Sequence, residues 1–312
     1  MNDTAVLLCG HGSRDGEAVT EFERMAAALR PRLAPFDFAT GYLEFARPTI
    51  RDGLGLLKAR GARHILALPG MLFAASHVKN DLPWEVNSFV AENPDVQVRL
   101  GRDLGVEARL LRAAADRIAA VAPEPRSEAL LLAVGRGTND PDANSNISKI
   151  ARMLWEGLGF GWAEVAFSGV AEPRVDAALV RAARLGFRRI VVFPYFLFTG
   201  VLVKRIYAQT DEIAGRFPDI AFVKAKYLCD HQGVLESFHD RVCELIEGDP
   251  AMNCQLCKYR TQIIGYESAV GATQQGHHHH VRGIGTDPDP QDHHHHRHHG
   301  REGHDHSDRD HG

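Results

Sequence analysis

Cysteine is scarce and irregular: five residues in 312, an odd count at scattered spacings. Such a set does not make a disulfide framework, and a reducing cytoplasmic setting is expected. Basic charge is also short. Lys and Arg number 36 against 40 Asp and Glu, and the formal net charge of −4 argues against a generally basic nucleic-acid binder. Long apolar runs are missing. The most apolar stretch, residues 190–203, is interrupted by Pro194 and Gly200. It falls short of the ~20 residues that a membrane helix needs, so a buried strand running into a loop is expected. Residues 1–4 carry no basic side chain, and the apolar run after them stops at Gly10, so no secretory signal is expected. A hydrophobic share of 44% and a charged share of 24% suit a folded chain of about two domains.

Histidine is the exception to this ordinary composition. The chain has 18, and thirteen of them lie in the last 36 residues.

The main organisational signal is an internal repeat at a constant displacement of 125 residues. Residues 5–14 (AVLLCGHGSR) match residues 130–139 (LLLAVGRGTN), and residues 65–69 (ILALP) match 190–194 (IVVFP). Ala46-Arg47-Pro48 meets Ala171-Glu172-Pro173, Gly61 meets Gly186, Phe73 meets Phe198, and Lys79 meets Lys204. The proline-bearing junction at residues 122–127 suits an exposed linker. Within the first half, strands are expected at residues 5–9, 38–43, 65–68 and 96–100, and helices at 17–33, from Pro48 to Ala59, and at 104–120. Apolar strands alternating with helices predict an α/β fold. Each of the two duplicated domains is expected to be a small parallel sheet flanked by helices. The expected boundaries are 1–122 for the first domain, 127–246 for its degenerate repeat, 247–276 for a cysteine-bearing segment, and 277–312 for a disordered His-rich tail.

Ligands of such sheets bind beyond the carboxyl ends of the strands. The loops at residues 10–15, 44–48 and 70–79 are therefore expected to line one cleft, and they contain His11, Glu44 and His77. Gly-His-Gly-Ser also suits a helix-capping turn, with Ser13 or Asp15 as the cap. Singly, His77 reads equally as a surface histidine and Glu44 as a solvated loop residue. The repeat weighs on the choice: the equivalent positions are Arg136, Gly169 and Leu202, so the shared scaffold does not need the imidazole–carboxylate set. Two histidines and a carboxylate can hold a divalent metal or take up protons near neutral pH. The duplication further implies that one chain builds a two-walled cleft for which a single-domain chain would need a dimer.

Residues 8–14 (LCGHGSR), residues 41–48 (GYLEFARP) and the segment from Pro69 to Pro83 around His77 resemble class II tetrapyrrole chelatases of the CbiX type, the sirohydrochlorin cobaltochelatases. The resemblance covers roughly residues 4–245. It implies insertion of Co2+ into sirohydrochlorin or precorrin-2 with release of two protons, in cobalamin biosynthesis. It matches His11 and His77 to metal-binding, proton-accepting histidines, and Glu44 to the nearby acidic residue. Arg136 and Leu202 depart from the pattern, so no catalytic role is carried into the second half. Arg14, Arg47 and Lys79 are candidate partners for the substrate carboxylates, with solvated surface charge as the competing reading. The same scaffold could load Fe2+ for siroheme or Ni2+, and a non-enzymatic metal or tetrapyrrole storage protein is the alternative of another class. A homodimer is left open, and neither nucleic acid nor a membrane is expected as a partner.

Cys254 and Cys257 stand in a Met-x-Cys-x-x-Cys run that resembles the motif of long CbiX proteins carrying a [4Fe-4S] cluster. Two thiolates cannot complete such a cluster alone, and Cys229, Cys243 or a second chain are the other candidate donors. Beyond residue 276 the chain lacks apolar periodicity, and seven acidic residues outnumber four basic ones. His277, His278, His279, His280, His293, His294, His295, His296, His298 and His299 are expected to bind divalent metal loosely and raise its local supply. Deleting residues 277–312 is expected to leave turnover at saturating Co2+ unchanged and to lower it when cobalt is scarce. An equal loss at all cobalt concentrations would remove the storage role.

Overall fold

The computed structural model describes residues 3–122, 124–248, 259, 267–272 and 283. The first half runs β1 (Thr4–Gly10), α1 (Gly16–Leu29), β2 (Asp37–Tyr42), α2 (Ile50–Ala59), β3 (His64–Pro69), α3 (Leu82–Glu92), β4 (Gln97–Leu100) and α4 (Ala108–Ala119). The second repeats it as β5 (Ala129–Gly135), α5 (Pro141–Leu158), β6 (Trp162–Phe167), α6 (Val175–Ala183), β7 (Arg189–Pro194), α7 (Val201–Arg216), β8 (Ala221–Lys224) and α8 (Gln232–Glu247). Each half forms a four-stranded sheet, in the orders β2-β1-β3-β4 and β6-β5-β7-β8, and every pairing is parallel. The order reverses direction at β1 and at β5. These are the points where the loops on either side of a strand diverge and leave a crevice.

Several element ends differ from the expected ones, each for a local reason. The helix expected to reach residue 33 ends at Leu29, and Arg30–Leu33 tightens into a 3-10 turn around Pro31, which has no N–H for an α-helical bond. Pro48 lies ahead of α2 rather than in its first turn. Thr49 caps that helix: its hydroxyl accepts from the Asp52 N–H at 3.2 Å, and the Asp52 carboxylate accepts from the Thr49 N–H at 2.8 Å. The segment read as a loop up to residue 79 turns helical at His77. A π-helical turn, His77–Asp81, runs directly into α3, whose first turn accommodates Pro83.

The two halves do not have separate cores. Along β1, Val6 and Leu8 face one way, into a cluster that also holds Leu131 and Ala133 of β5. Ala5, Leu7 and Cys9 face the other way, into a cluster private to the first half, while Leu130, Leu132 and Val134 face one private to the second. The result is a layered arrangement in which α1, α4, α5 and α8 lie between the sheets, with α4 against α8, α4 against α5 and α1 against α8. Because α5 repeats α1 and α8 repeats α4, these contacts are reciprocal. The halves pack as two copies related by a twofold axis would.

Two ion-pair clusters mark the same relation. Lys79 reaches Asp140 at 2.8 Å and Asp142 at 3.0 Å in the other half. Its repeat equivalent Lys204 reaches back to Asp15 at 2.8 Å and Glu17 at 3.0 Å. Burial separates the two: the side chains of Lys79 and Asp140 are 1% and 0% exposed, whereas that of Lys204 is 48% exposed. Burial alone would lower the Lys79 pKa, but Asp140 and Asp142 outweigh it and hold the ammonium charged, above its ordinary range. Lys79 is therefore not at the cleft mouth as expected from the sequence. It is a bolt between the halves and has no surface for a substrate carboxylate. Elsewhere on the same interface, Glu21 of α1 accepts from the Thr199 N–H at 2.8 Å and from the Tyr227 hydroxyl at 2.7 Å. Among the described residues no helix is long and apolar enough to cross a membrane.

Removing one partner of a buried pair leaves the other charge uncompensated. Lys79→Met is expected to destabilise the fold by about 3–5 kcal/mol, and Lys204→Met at the exposed equivalent by about 1 kcal/mol or less. Urea denaturation of the two variants checks the difference.

Candidate active site

β1 ends at Gly10 in the interior of its sheet, so the next residue, His11, emerges at the switch point. Gly12 then takes φ +90°, a conformation that side-chain-bearing residues rarely adopt, and a Cβ there would lie 1.7 Å from the Glu44 carbonyl oxygen. That close approach joins two loops. Leu43 N–H donates to Gly10 O and Glu44 N–H to His11 O, both at 2.9 Å, which sets the Glu44 carboxylate beside the His11 ring. The capping reading of the same loop is realised as well: Asp15 caps α1 through the Glu17 N–H, and the Ser13 hydroxyl accepts from the Asp15 N–H.

His77 comes from the loop beyond β3, at the start of the π-helical turn. Its Nδ1 lies 2.7 Å from Oδ2 of Asp81, which is fully buried. The His11 Nδ1 lies 2.9 Å from the Gly12 carbonyl oxygen. A carbonyl or carboxylate oxygen takes the proton of Nδ1, so the neutral form of either ring has its lone pair on Nε2. The two rings meet edge to face with centroids 4.6 Å apart. Donor atoms of His11, Glu44 and His77 all lie within 4.8 Å of one another. Donors around one ion stand roughly 3–4 Å apart, so this set is near that spacing.

The His11 Nε2 is shut off from solvent and has no hydrogen-bond partner. Burial first, then the neighbouring His77 and Arg136, push the His11 pKa down to about 3. The ring is a neutral nitrogen donor across the physiological range, and a buried lone pair with nothing to bind is the condition expected of a ligand awaiting an electrophile.

His11 and His77 line a cavity of about 390 Å3, and buried Glu44 lies beside them just outside its lining. Its walls are largely apolar and come from both halves. The first half contributes His11, Arg14, Phe22, Phe45, Phe73 and His77, and the second Arg136, Tyr195, Phe196, Phe198 and Leu202. Aromatic contacts close the seam: Phe22 meets Phe198 edge to face and Phe73 stacks on Tyr195, each pair with centroids 5.7 Å apart. Arg14 lines the mouth with its guanidinium 4.8 Å above the Phe45 ring. Arg47, the other arginine considered for substrate, is exposed and does not line the cavity, and Gly283 packs against its side chain. Cys254, Cys257 and the tail histidines fall outside the described residues. The sequence reading missed Asp81, although its place four residues after His77 is the signal for a side chain that orients the ring. It also gave Arg136 no role, because that residue breaks the motif.

The CbiX family model matches the chain twice, over residues 5–121 and 130–245. The chain belongs to the CbiX family. Among curated relatives, the sirohydrochlorin cobaltochelatase of Priestia megaterium is 34% identical over 263 residues, covering 83% of this chain and 86% of the relative. The sirohydrochlorin ferrochelatase of the same organism is 28% identical over 242 residues, covering 78% of this chain and 90% of the relative. Among solved structures, SirB from Bacillus subtilis with Fe3+ superposes with a TM-score of 0.70 at 26% identity, covering 78% of this chain and 95% of SirB. The double match follows the two sheets, so both walls of the cavity lie within the family's own repeat.

The low His11 pKa has a consequence for this family member's stability. As pH falls from 6.5 towards 3, the unfolded chain takes up a proton at His11 that the folded chain refuses. Folding stability from this group is lost over that window and changes no further below it. His11→Gln removes the effect, so the variant is expected to lose less stability than the parent between pH 7 and pH 4. Denaturant titrations at the two pH values measure it.

Proposed function

We propose that this chain is a sirohydrochlorin chelatase that inserts Co2+ into the macrocycle and releases two pyrrole protons. The observation that carries the reading is the His11–Glu44–His77 set, with its unpartnered His11 Nε2 and with His11 and His77 on one wall of an apolar two-walled cavity, in a chain of the CbiX family. Precorrin-2, which shares the flat, carboxylate-bearing form, is the alternative macrocycle.

The residues divide the work according to their surroundings. The substrate ion must be held and then given up, and two imidazoles with one carboxylate bind a borderline divalent ion less tightly than thiolates would. His11, disfavoured as a cation by burial and then by the neighbouring His77 and Arg136, serves as a neutral ligand to the incoming ion. His77 has the Asp81 carboxylate against its Nδ1, which orients the ring so that it can accept a proton from a pyrrole N–H. Glu44, paired through its backbone with His11, supplies the anionic ligand and a second proton acceptor. Phe45, Phe73 and the aromatic residues of the second half face the macrocycle and exclude water, which strengthens every charge interaction inside the cavity.

Cobalt is favoured because the 34%-identical relative is a cobaltochelatase. Fe2+ is the second reading, supported by the ferrochelatase relative at 28% identity and by the solved relative that holds Fe3+. In this scheme the tail histidines gather ions for the cavity, and Cys254 and Cys257 would supply two of the thiolates of the [4Fe-4S] cluster that their motif implies.

Absorbance of sirohydrochlorin with Co2+, Fe2+ or Ni2+ under anaerobic conditions tests the assignment. The expected result is fastest insertion of Co2+ and a loss of about 100-fold or more in His11→Ala and in His77→Ala, both remaining folded. Parental turnover in either variant would overturn the ligand and proton-acceptor roles of these two histidines, and faster insertion of Fe2+ would replace cobalt by iron.

A further inference from the structure

The two walls of the cavity are related by the 125-residue repeat, and on the second wall Arg136 stands where the first has a metal donor. His11, Glu44 and His77 on the first wall correspond to Arg136, Gly169 and Leu202 on the second. The backbone is the same on both. Gly137 takes φ +82° as Gly12 takes +90°, and a Cβ on Gly137 would lie 1.9 Å from the Gly169 carbonyl oxygen. Gly169 N–H donates to Arg136 O at 2.9 Å, as Glu44 N–H donates to His11 O. The loop that presents His11 to the cavity therefore presents Arg136 from the opposite side.

Leu202 and Gly169 carry no metal donor, and a guanidinium cannot ligate a cation. The second wall is closed to a metal ion, but it is not inert. A guanidinium has five N–H donors in a rigid fork. Among the described residues, the hydrogen bond Arg136 makes is one, from Nη1 to the Gly137 carbonyl oxygen at 3.3 Å, and no carboxylate lies within 4.0 Å of it. Its charge is felt by His11 and Glu44 across the cavity, yet it forms no ion pair with either. Other basic groups near the cavity are engaged or peripheral. Lys79 is buried between two aspartates, Lys204 is paired with Asp15 and Glu17, and exposed Arg14 stacks on Phe45 at the mouth. Arg136 is exposed and lines the cavity, so its guanidinium is open to an incoming planar anion, and a carboxylate takes such a group with two parallel hydrogen bonds.

We propose that Arg136 anchors a carboxylate of the macrocycle, fixing which edge of the planar substrate is held on the wall opposite His11, Glu44 and His77. This rests on the reading of the substrate as a polycarboxylate tetrapyrrole. The degenerate half thereby determines substrate position: where its twin offers a metal ligand, it offers a handle for the molecule that receives the metal. Fixing one edge against the second wall also leaves the pyrrole nitrogens to face the single metal-binding wall.

The test separates macrocycle binding from metal binding. Metal-free sirohydrochlorin is titrated, with a chelator present, into the full-length chain and into Arg136→Gln and Arg136→Lys, followed by quenching of its own fluorescence. Methyl-esterified sirohydrochlorin is the second probe, and calorimetric titration with Co2+ alone is the third. Arg136→Gln is expected to weaken sirohydrochlorin binding by about 10-fold or more, with partial recovery in Arg136→Lys. The ester should bind parent and Arg136→Gln alike, and Co2+ should bind the variant at least as tightly as the parent, because a positive charge felt by His11 and Glu44 is gone. Unchanged sirohydrochlorin binding in Arg136→Gln overturns the anchor, as does an effect confined to Co2+ or an equal loss with the ester. Failure of the parent chain to bind sirohydrochlorin overturns the substrate reading and the anchor together, whereas parental insertion with an unaffected variant overturns the anchor alone.

Discussion

The buried Lys79 ammonium, held between Asp140 and Asp142, is the contact on which the rest of the site depends. A charge in that interior is tolerated only with its partners in place, so a shifted docking of the halves would leave it or Asp140 uncompensated. The register it sets is the one that brings Arg136, Tyr195 and Phe198 opposite His11 and His77. Lys79 lies two residues beyond His77 in the same π-helical turn, and Asp81, two residues further on, holds the His77 ring. Alternate residues of one short turn therefore present the His77 imidazole, anchor the turn to the other half and orient that ring.

Duplication explains how such a site can be one-sided. The twofold relation governs backbone and packing: matching sheet orders, reciprocal helix contacts, and glycines at positions 12 and 137 that admit the same close carbonyl. It does not govern side chains, because a loop held by main-chain hydrogen bonds accepts histidine or arginine at its tip without changing shape. One half could lose its imidazoles and carboxylate while remaining the wall that encloses the other's chemistry. The shared central core makes the partnership obligatory, since Val6 and Leu8 of one sheet and Leu131 and Ala133 of the other are buried in a single cluster.

Much of this was legible from particular residues. The apolar runs at 5–9 and 65–68 announced buried parallel strands, and the glycines around His11 announced a tight turn at the end of the first. Loops after successive parallel strands converge, which is why His11, Glu44 and His77 could be grouped before any distance was known. Lys79 was misplaced because a lysine beside a candidate site looks the same in sequence whether it faces water or a pair of aspartates 61 and 63 positions away. The helical start at His77 was missed because Asp81 and Pro83 signal a helix only when the preceding turn is known to be wound.

The sequence by itself determined the repeat, the strand–helix alternation and the identity of the three donor side chains, because these rest on local pattern and on a fixed displacement along the chain. Only the tertiary structure decided which groups are buried and which meet across the halves. It made His11 a neutral imidazole with a solvent-shielded, unpartnered Nε2, turned Lys79 from a surface charge into an internal bolt, and set Arg136 on the same cavity as His11 and His77 without a carboxylate partner among the described residues. Burial and long-range pairing depend on how two sheets 125 residues apart in sequence come face to face, and no local pattern carries that information.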